Sequence, residues 1–405
     1  MSTGSPQSTV HSPRTRVALA VSLTVLFAGC GRASPVVKIG FVGPLTGDQA
    51  PVGQAMLNGA RLAIEQASVQ GPVLQGYRLE LMALDDQRNP TQAVTAAKKL
   101  VADPDVMAVV GHLNSSCTMP ASSVYYQAHL LQITPVSSNP QISRQGFDTL
   151  YRTCATDDLQ GPAAALFSVR ELGAKRVFIL DDMTTYGRGL SNEYEKKVRA
   201  LGAQVLGHEG VTQGDKDFTP LLTKIKASHP DLVYFAGMFP EGALLIRQRV
   251  DVGLGGSFMG GDGLFDPVLI ELSTPQAAEG VYLTTIGSDI RQIPTAGAFV
   301  TAYEKRFGSI GAYSAYAYEA TNLALWAIRQ AGKKDRHPFD LAQGAVSSAV
   351  ERRQAVLAAM KTLKDYPGLF GPQNFDERGD SRIRDIGLFT VRQGKFVFVK
   401  TATWD

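Results

Sequence analysis

Val106-Met107-Ala108-Val109-Val110-Gly111-His112-Leu113-Asn114-Ser115-Ser116-Cys117-Thr118-Met119-Pro120 is the stretch on which the fold turns. Residues 106–110 are continuously apolar, the pattern of a parallel strand covered on both faces. The strand runs into a serine-rich helix start, where free backbone N–H groups and hydroxyls meet any anion placed there. Upstream, residues 37–42 read as a strand ending at Gly43-Pro44, and 78–84 as another closing on Asp85-Asp86. Asn89-Pro90 then supplies the cap and first turn of a helix whose Ala93, Ala97, Leu100 and Val101 share one face.

Downstream the same grammar restarts. Residues 176–180 form a strand, and the helix after Gly187 carries Leu190, Tyr194, Val198 and Leu201 on one side. Asp217 caps a helix bearing Phe218, Leu221, Leu222 and Ile225, and 232–235 is the next strand. Repeated β-α-β units imply an α/β fold of two similar, doubly wound parallel-sheet lobes. The ending differs: helices over 296–307 and 311–330, then strands over 383–399 about a turn at Gln393-Gly394.

Composition narrows the function. A chain of 405 residues, 44% hydrophobic and 19% charged, has core enough for two or three globular units and is no disordered chain. Lys+Arg 40 against Asp+Glu 37, with no basic stripe, argues against nucleic-acid binding. Three cysteines cannot build a disulfide scaffold, and the six histidines are scattered without ligand spacing, so neither metal nor cofactor is expected. Gly-rich 253–256 lacks the third glycine of a dinucleotide fingerprint, and no phosphate loop or nucleophile elbow occurs. An enzyme would need a nucleophile–base pair; His112 reads as structural, and Arg378-Gly379-Asp380 as a turn.

Residues 1–29 read as a targeting segment, with Arg14 and Arg16 before an apolar run over 17–28. The run is too short to span a bilayer but suits a signal-peptide core. Leu26-Phe27-Ala28-Gly29-Cys30 resembles a bacterial lipoprotein cleavage box, which implies a lipid on Cys30 and a tether over 30–35. Phe27 stands where that box usually has leucine, and the alternative is an ordinary signal peptide with an incidental cysteine. Either way the protein is expected to work outside the cytoplasm.

Candidate binding residues cluster after strands. Thr134-Pro135-Val136-Ser137-Ser138-Asn139-Pro140 is a second hydroxyl-rich turn at the edge that presents Ser115. Open α/β sheets bind ligands at these carboxyl ends, although each serine alone could equally cap its helix. In the second half, Asp181-Asp182-Met183-Thr184-Thr185-Tyr186-Gly187 and Phe258-Met259-Gly260-Gly261-Asp262-Gly263 bring an aromatic and an acid to the same kind of edge. Such a pair can hold a cation, while Asp262 by itself could be a turn residue.

In this order, these residues resemble the periplasmic leucine/isoleucine/valine-binding proteins of bacterial ABC importers. The likeness runs through 43–47 with Asn58-Gly59-Ala60-Arg61-Leu62-Ala63-Ile64, through Gly111-His112-Leu113 with Pro120-Ala121-Ser122, and through Asn139-Pro140 with Tyr151-Arg152-Thr153. It continues in Gln160-Gly161-Pro162, Tyr186-Gly187, Pro240-Glu241, Phe258-Met259-Gly260 and Gly371-Pro372 with Asp376, covering nearly all of the chain after residue 36. The resemblance implies two lobes, 36–155 plus 286–369 and 156–285 plus 370–405, joined by three crossover strands near 154–158, 283–288 and 369–374. A ligand would be buried by closure about that hinge.

By the same resemblance, Ser115, Ser138 and the Ser137 backbone meet the ligand carboxylate, Tyr186 and Asp262 hold its ammonium, and Val52, Met238 and Phe239 shape the side-chain pocket. Asp262 is one methylene shorter than the glutamate of the leucine-binding prototype, and Val52 and Met238 replace aromatics. That prototype's lobe-one disulfide is missing, with Arg88 and Asn114 in its region; Cys117 and Cys154 are expected as free buried thiols. The implied role is capture of a branched-chain or other apolar L-amino acid, by a monomer, for a membrane permease with cytoplasmic ATPases. Two alternatives stay open: a ligand-sensing module reporting to a receptor, and a binder of an amide or aromatic acid.

Overall fold

Two parallel sheets, wound in the same order, account for most of the chain. The computed structural model describes residues 1–9, 34–333, 338–339 and 347–402; Cys30 and the whole apolar run before it lie outside them. From Pro35 onward the chain is one compact unit.

The first sheet is built from β1 (Val36–Gly43), α1 (Ala50–Val69), β2 (Arg78–Asp85), α2 (Pro90–Ala102), β3 (Val106–Gly111), α3 (Ser115–Gln127), β4 (Leu131–Thr134) and β5 (Leu150–Arg152). Its strands lie in the order β2-β1-β3-β4-β5, all parallel. β3 is buried at every position, which is why its sequence is apolar without alternation. Asn89 caps α2 as expected, its side chain accepting from the N–H groups of Thr91 and Gln92.

The second sheet starts again with α4 (Asp157–Leu166), β6 (Arg176–Asp181), α5 (Thr185–Ala200), β7 (Gln204–Gly210), α6 (Thr219–Ala227), β8 (Leu232–Ala236), α7 (Phe239–Asp251), β9 (Ser257–Gly260), α8 (Pro267–Ser273), α9 (Pro275–Ala278) and β10 (Tyr282–Thr285). The order β7-β6-β8-β9-β10 repeats that of the first lobe. Next come α10 (Gly297–Phe307), α11 (Ser314–Ala331) and α12 (Ala349–Met360). Arg353 of α12 donates to the carbonyls of Val101, Asp103 and Val106, and the Tyr303 hydroxyl of α10 to that of Ala55, so these helices return to the first lobe. A hairpin, β11 (Tyr366–Gly368) and β12 (Gly371–Gln373), follows; β13 (Gly387–Arg392) and β14 (Lys395–Thr401) then add antiparallel strands to the second sheet.

Hydrogen bonds locate the passages between lobes. Ala155 N–H donates to the Ile286 carbonyl at 3.3 Å, Gly387 N–H to Gly287 at 3.1 Å and Ala402 N–H to Ile386 at 2.7 Å, so three segments run side by side. The third passage lies near Ile386, later than the 369–374 expected from the resemblance. Before it runs a half-buried ion pair: Arg152, 1% exposed, binds Asp380 through Nε and Nη2, while its backbone pairs with Gly379 and Ser381. These contacts hold 374–382 against β5. The tripeptide at 378–380 is a turn, with Gly379 at φ +81°, and it also carries this anchor.

Candidate ligand-binding cleft

The carboxyl ends of both sheets face a small cleft, partly open to solvent. Ser115, Ser116, Val136 and Tyr313 line it from the first lobe, and Tyr186, Met238 and Asp262 from the second. Cys117 and Thr118 N–H groups both return to the Asn114 carbonyl, leaving those of Ser115 and Ser116 without a helical partner at the start of α3. None of the lining residues is Lys or Arg, whereas Asp182 and Asp262 are both among them.

Asp262 is the most elaborated group. It is 4% exposed; Oδ1 accepts from Gln160 Nε2 at 2.9 Å and Tyr186 Oη at 2.8 Å, and Oδ2 from Tyr313 Oη at 2.8 Å. Burial raises its pKa above the usual carboxylate range, opposed by those same hydrogen bonds. Gly261 makes the arrangement possible, because a Cβ there would sit 2.7 Å from the Tyr186 hydroxyl and 2.8 Å from Gln160 Oε1. Tyr186 is aimed by the start of α5, where Thr184 accepts from Gly187 N–H and Gly187 lets the helix approach Asp182 and the Ala236 carbonyl.

Behind Asp262 stands a second acid. Asp157, fully buried in the first turn of α4, has neither carboxylate oxygen in a hydrogen bond. Burial pushes its pKa well up and the charge of Asp262 adds to the rise, while the nearby Ser138 hydroxyl opposes it weakly. Asp157 N–H donates to the Ser138 carbonyl at 3.0 Å, tying this acid to the serine turn. Asp182 is pushed up to about 6, chiefly by burial. Two buried carboxylates close enough to perturb each other, with no basic side chain in the cavity wall, make a site that favours a cation.

The expected residues divide. Ser115, Tyr186, Met238 and Asp262 meet around the cavity. Ser138 does not line it, yet its hydroxyl is buried and makes no hydrogen bond of good geometry. Ser137 faces elsewhere: its hydroxyl bonds Thr118 Oγ1 and the carbonyls of His112 and Leu113, its N–H is taken by Thr134 Oγ1, and its carbonyl accepts from Arg152. Val52 and Phe239 are core residues, each 1% exposed, and neither lines the cavity. His112 is held between Asp86 and Tyr125, and Cys117 and Cys154 are free and buried.

Asp157, Gln160 and Tyr313 were not singled out as binding residues from sequence. Asp157 falls in the stretch expected as a crossover, where the structure instead starts α4, and Tyr313 sits in a stretch that reads simply as helix. In the structure Tyr313 precedes α11 at φ +62°, a backbone turn that swings its ring across to Asp262 of the other lobe. Among the described residues, no cluster of His, Cys, Asp and Glu is placed to hold a metal, and no helix is long and apolar enough to cross a membrane.

Two similar α/β lobes, three passages between them and a polar cleft at their switch points define a hinged solute-binding protein of the type I periplasmic class. The chain belongs to the periplasmic binding protein family, which matches residues 36–395. It is 35% identical over 374 residues to an amino acid binding protein of Pseudomonas aeruginosa, covering 92% of this chain and 94% of that one. Identity to Leu/Ile/Val-binding protein homolog 1 of Brucella suis is 33% over 376 residues, covering 93% and 95%.

Among solved structures, the leucine binding protein LivK of Thermotoga maritima superposes with a TM-score of 0.80 at 30% identity, over 90% of this chain and 98% of that one. LivJ of Streptococcus pneumoniae, solved with isoleucine, gives 0.79 at 23%, over 91% and 99%. A solute binding protein of R. palustris, solved with benzoate, gives 0.78 at 19%, over 91% and 98%. The last two likenesses carry the fold alone. The family comprises substrate-binding proteins rather than enzymes, and membership implies a periplasmic location.

Proposed function

We propose that this protein is the extracytoplasmic receptor of an ABC importer, capturing a branched-chain or other apolar L-amino acid between its lobes for a membrane permease. The observation that carries this reading is Asp262, backed by the buried Asp157, facing Ser115 and the first N–H groups of α3 across a cleft whose wall has no basic side chain. A zwitterion taken out of water loses several kcal/mol of solvation unless both charges are met. The helix start and Ser115 meet the carboxylate, with Ser138 beside them; Asp262, supported by Tyr186 and Asp157, meets the ammonium. Leu113, Val136 and Met238 supply apolar wall for the side chain. The amino-acid-binding relatives support this cargo.

An aromatic acid is the second reading, since one structural neighbour was solved with benzoate. It is disfavoured here because a ligand without an ammonium leaves Asp262 and Asp157 facing no cation. Lipidation at Cys30 and a monomeric state belong to the same proposal. Calorimetry against the twenty standard amino acids and benzoate is the test. Tight binding of an apolar amino acid is expected, and binding of benzoate alone would overturn the assignment. Mass spectrometry of protein from membranes, showing a diacylglyceryl cysteine or an unmodified one, decides the anchor.

A further inference from the structure

Arg88 and Glu241 face each other across the cleft, outside the residues that line the cavity. Arg88 lies in the loop after β2 of the first lobe; Glu241 occupies the first turn of α7 in the second. Arg88 Nη2 is 3.8 Å from Glu241 Oε1, and Arg88 Nη1 is 3.3 Å from Asp48 Oδ1 of its own lobe. The Glu241 side chain is 2% exposed; Oε1 accepts from Gly214 N–H at 2.9 Å and Oε2 has no hydrogen-bond partner.

The loop is built to hold Arg88 in place. Gln87 and Arg88 both adopt positive φ, +53° and +57°. Asp85 accepts from the N–H groups of Leu45 and Gln87, and Asp86 from that of Arg88. These contacts fix the backbone at Arg88, and Asp48 of the same lobe holds one end of its guanidinium, so less side-chain entropy is lost when Glu241 meets it.

We infer that Arg88 is a positioning residue for ligand retention: it is the counter-charge that lets the second lobe close over Glu241. The inference rests on the hinged-binder reading above. In an open cleft Glu241 is hydrated and Arg88 keeps Asp48. Closure strips water from Glu241, which is tolerated only because Arg88 arrives opposite it. Arg88 does not line the cavity, so its contribution is the same whatever the ligand's side chain.

A double-mutant cycle of R88Q, E241Q and the pair tests this, reading Kd for L-leucine and L-valine at low and high salt with X-ray scattering alongside. R88Q is expected to weaken both ligands by the same factor, roughly tenfold. The double variant is expected to recover part of that loss, and added salt to weaken the wild type more than the double variant. An R88Q affinity within twofold of wild type, or single effects that simply add, overturns the inference. If neither amino acid binds wild-type protein, the amino-acid reading falls and scattering alone judges the latch. R88Q must then enlarge the radius of gyration, and an unchanged radius refutes it.

Discussion

Replacing Asp262 with Asn separates binding from folding, because the two should move in opposite directions. Asparagine keeps the shape and an acceptor for Gln160 and Tyr186, which both bond Oδ1 at 2.8–2.9 Å. Tyr313 Oη retains the Asp262 backbone carbonyl at 2.7 Å after losing Oδ2. What disappears is the charge. In the unliganded fold that charge is a liability, since burial raises its pKa, so the variant should melt no lower than wild type and gain more as pH rises. In the complex the charge is the ammonium's partner, and coupling between close buried charges reaches several kcal/mol. A loss of about 3 kcal/mol, a roughly 150-fold rise in Kd for leucine, is expected by calorimetry. Undiminished affinity in a folded variant would remove Asp262 from the ammonium site.

Three further outcomes follow from particular contacts. Ser138→Ala should leave the melting temperature unchanged, since its hydroxyl makes no good hydrogen bond in the protein, yet weaken leucine by about 1 kcal/mol; equal affinity would take the hydroxyl out of the carboxylate subsite. Arg152→Ala strands Asp380 and leaves 374–382 held to β5 by backbone bonds alone, so chemical denaturation should show a loss of about 3–5 kcal/mol, and a loss below about 1 would mean the anchor is dispensable. Glu319, buried and pushed up to about 7, titrates higher in the fold than in the unfolded chain. Its burial cost is therefore present above pH 7 and relieved as pH falls toward 4.5. Relative to Glu319→Gln, wild-type stability should rise by up to about 3 kcal/mol from pH 8 to pH 4.5, and a flat difference would refute the shift.

Much of the architecture was legible in the chain itself. The unbroken apolar strands, the Asn89-Pro90 cap and the repeated β-α-β units follow from local periodicity, and local periodicity is what short-range sterics and burial write into sequence. Ser115, Tyr186 and Asp262 were legible for a related reason: each follows directly after a strand, so once the sheet is parallel its place at the carboxyl edge is set. Asp157, Tyr313 and the Arg88–Glu241 pair were not. Their partners lie far along the chain on the opposite lobe, and an acid in a first helical turn looks the same whether it faces water or another carboxylate. Ser137 shows the converse, since adjacent residues in one turn point opposite ways and only packing chose Ser138 to keep a free hydroxyl. The Arg152–Asp380 pair, which holds 374–382 against β5, is a contact across more than two hundred residues that no local pattern encodes. Sequence determined which elements form and which edge carries the chemistry, because those depend on neighbours in the chain. Tertiary structure decided which buried charges face each other, because that energy exists only after both lobes have folded and excluded water between them.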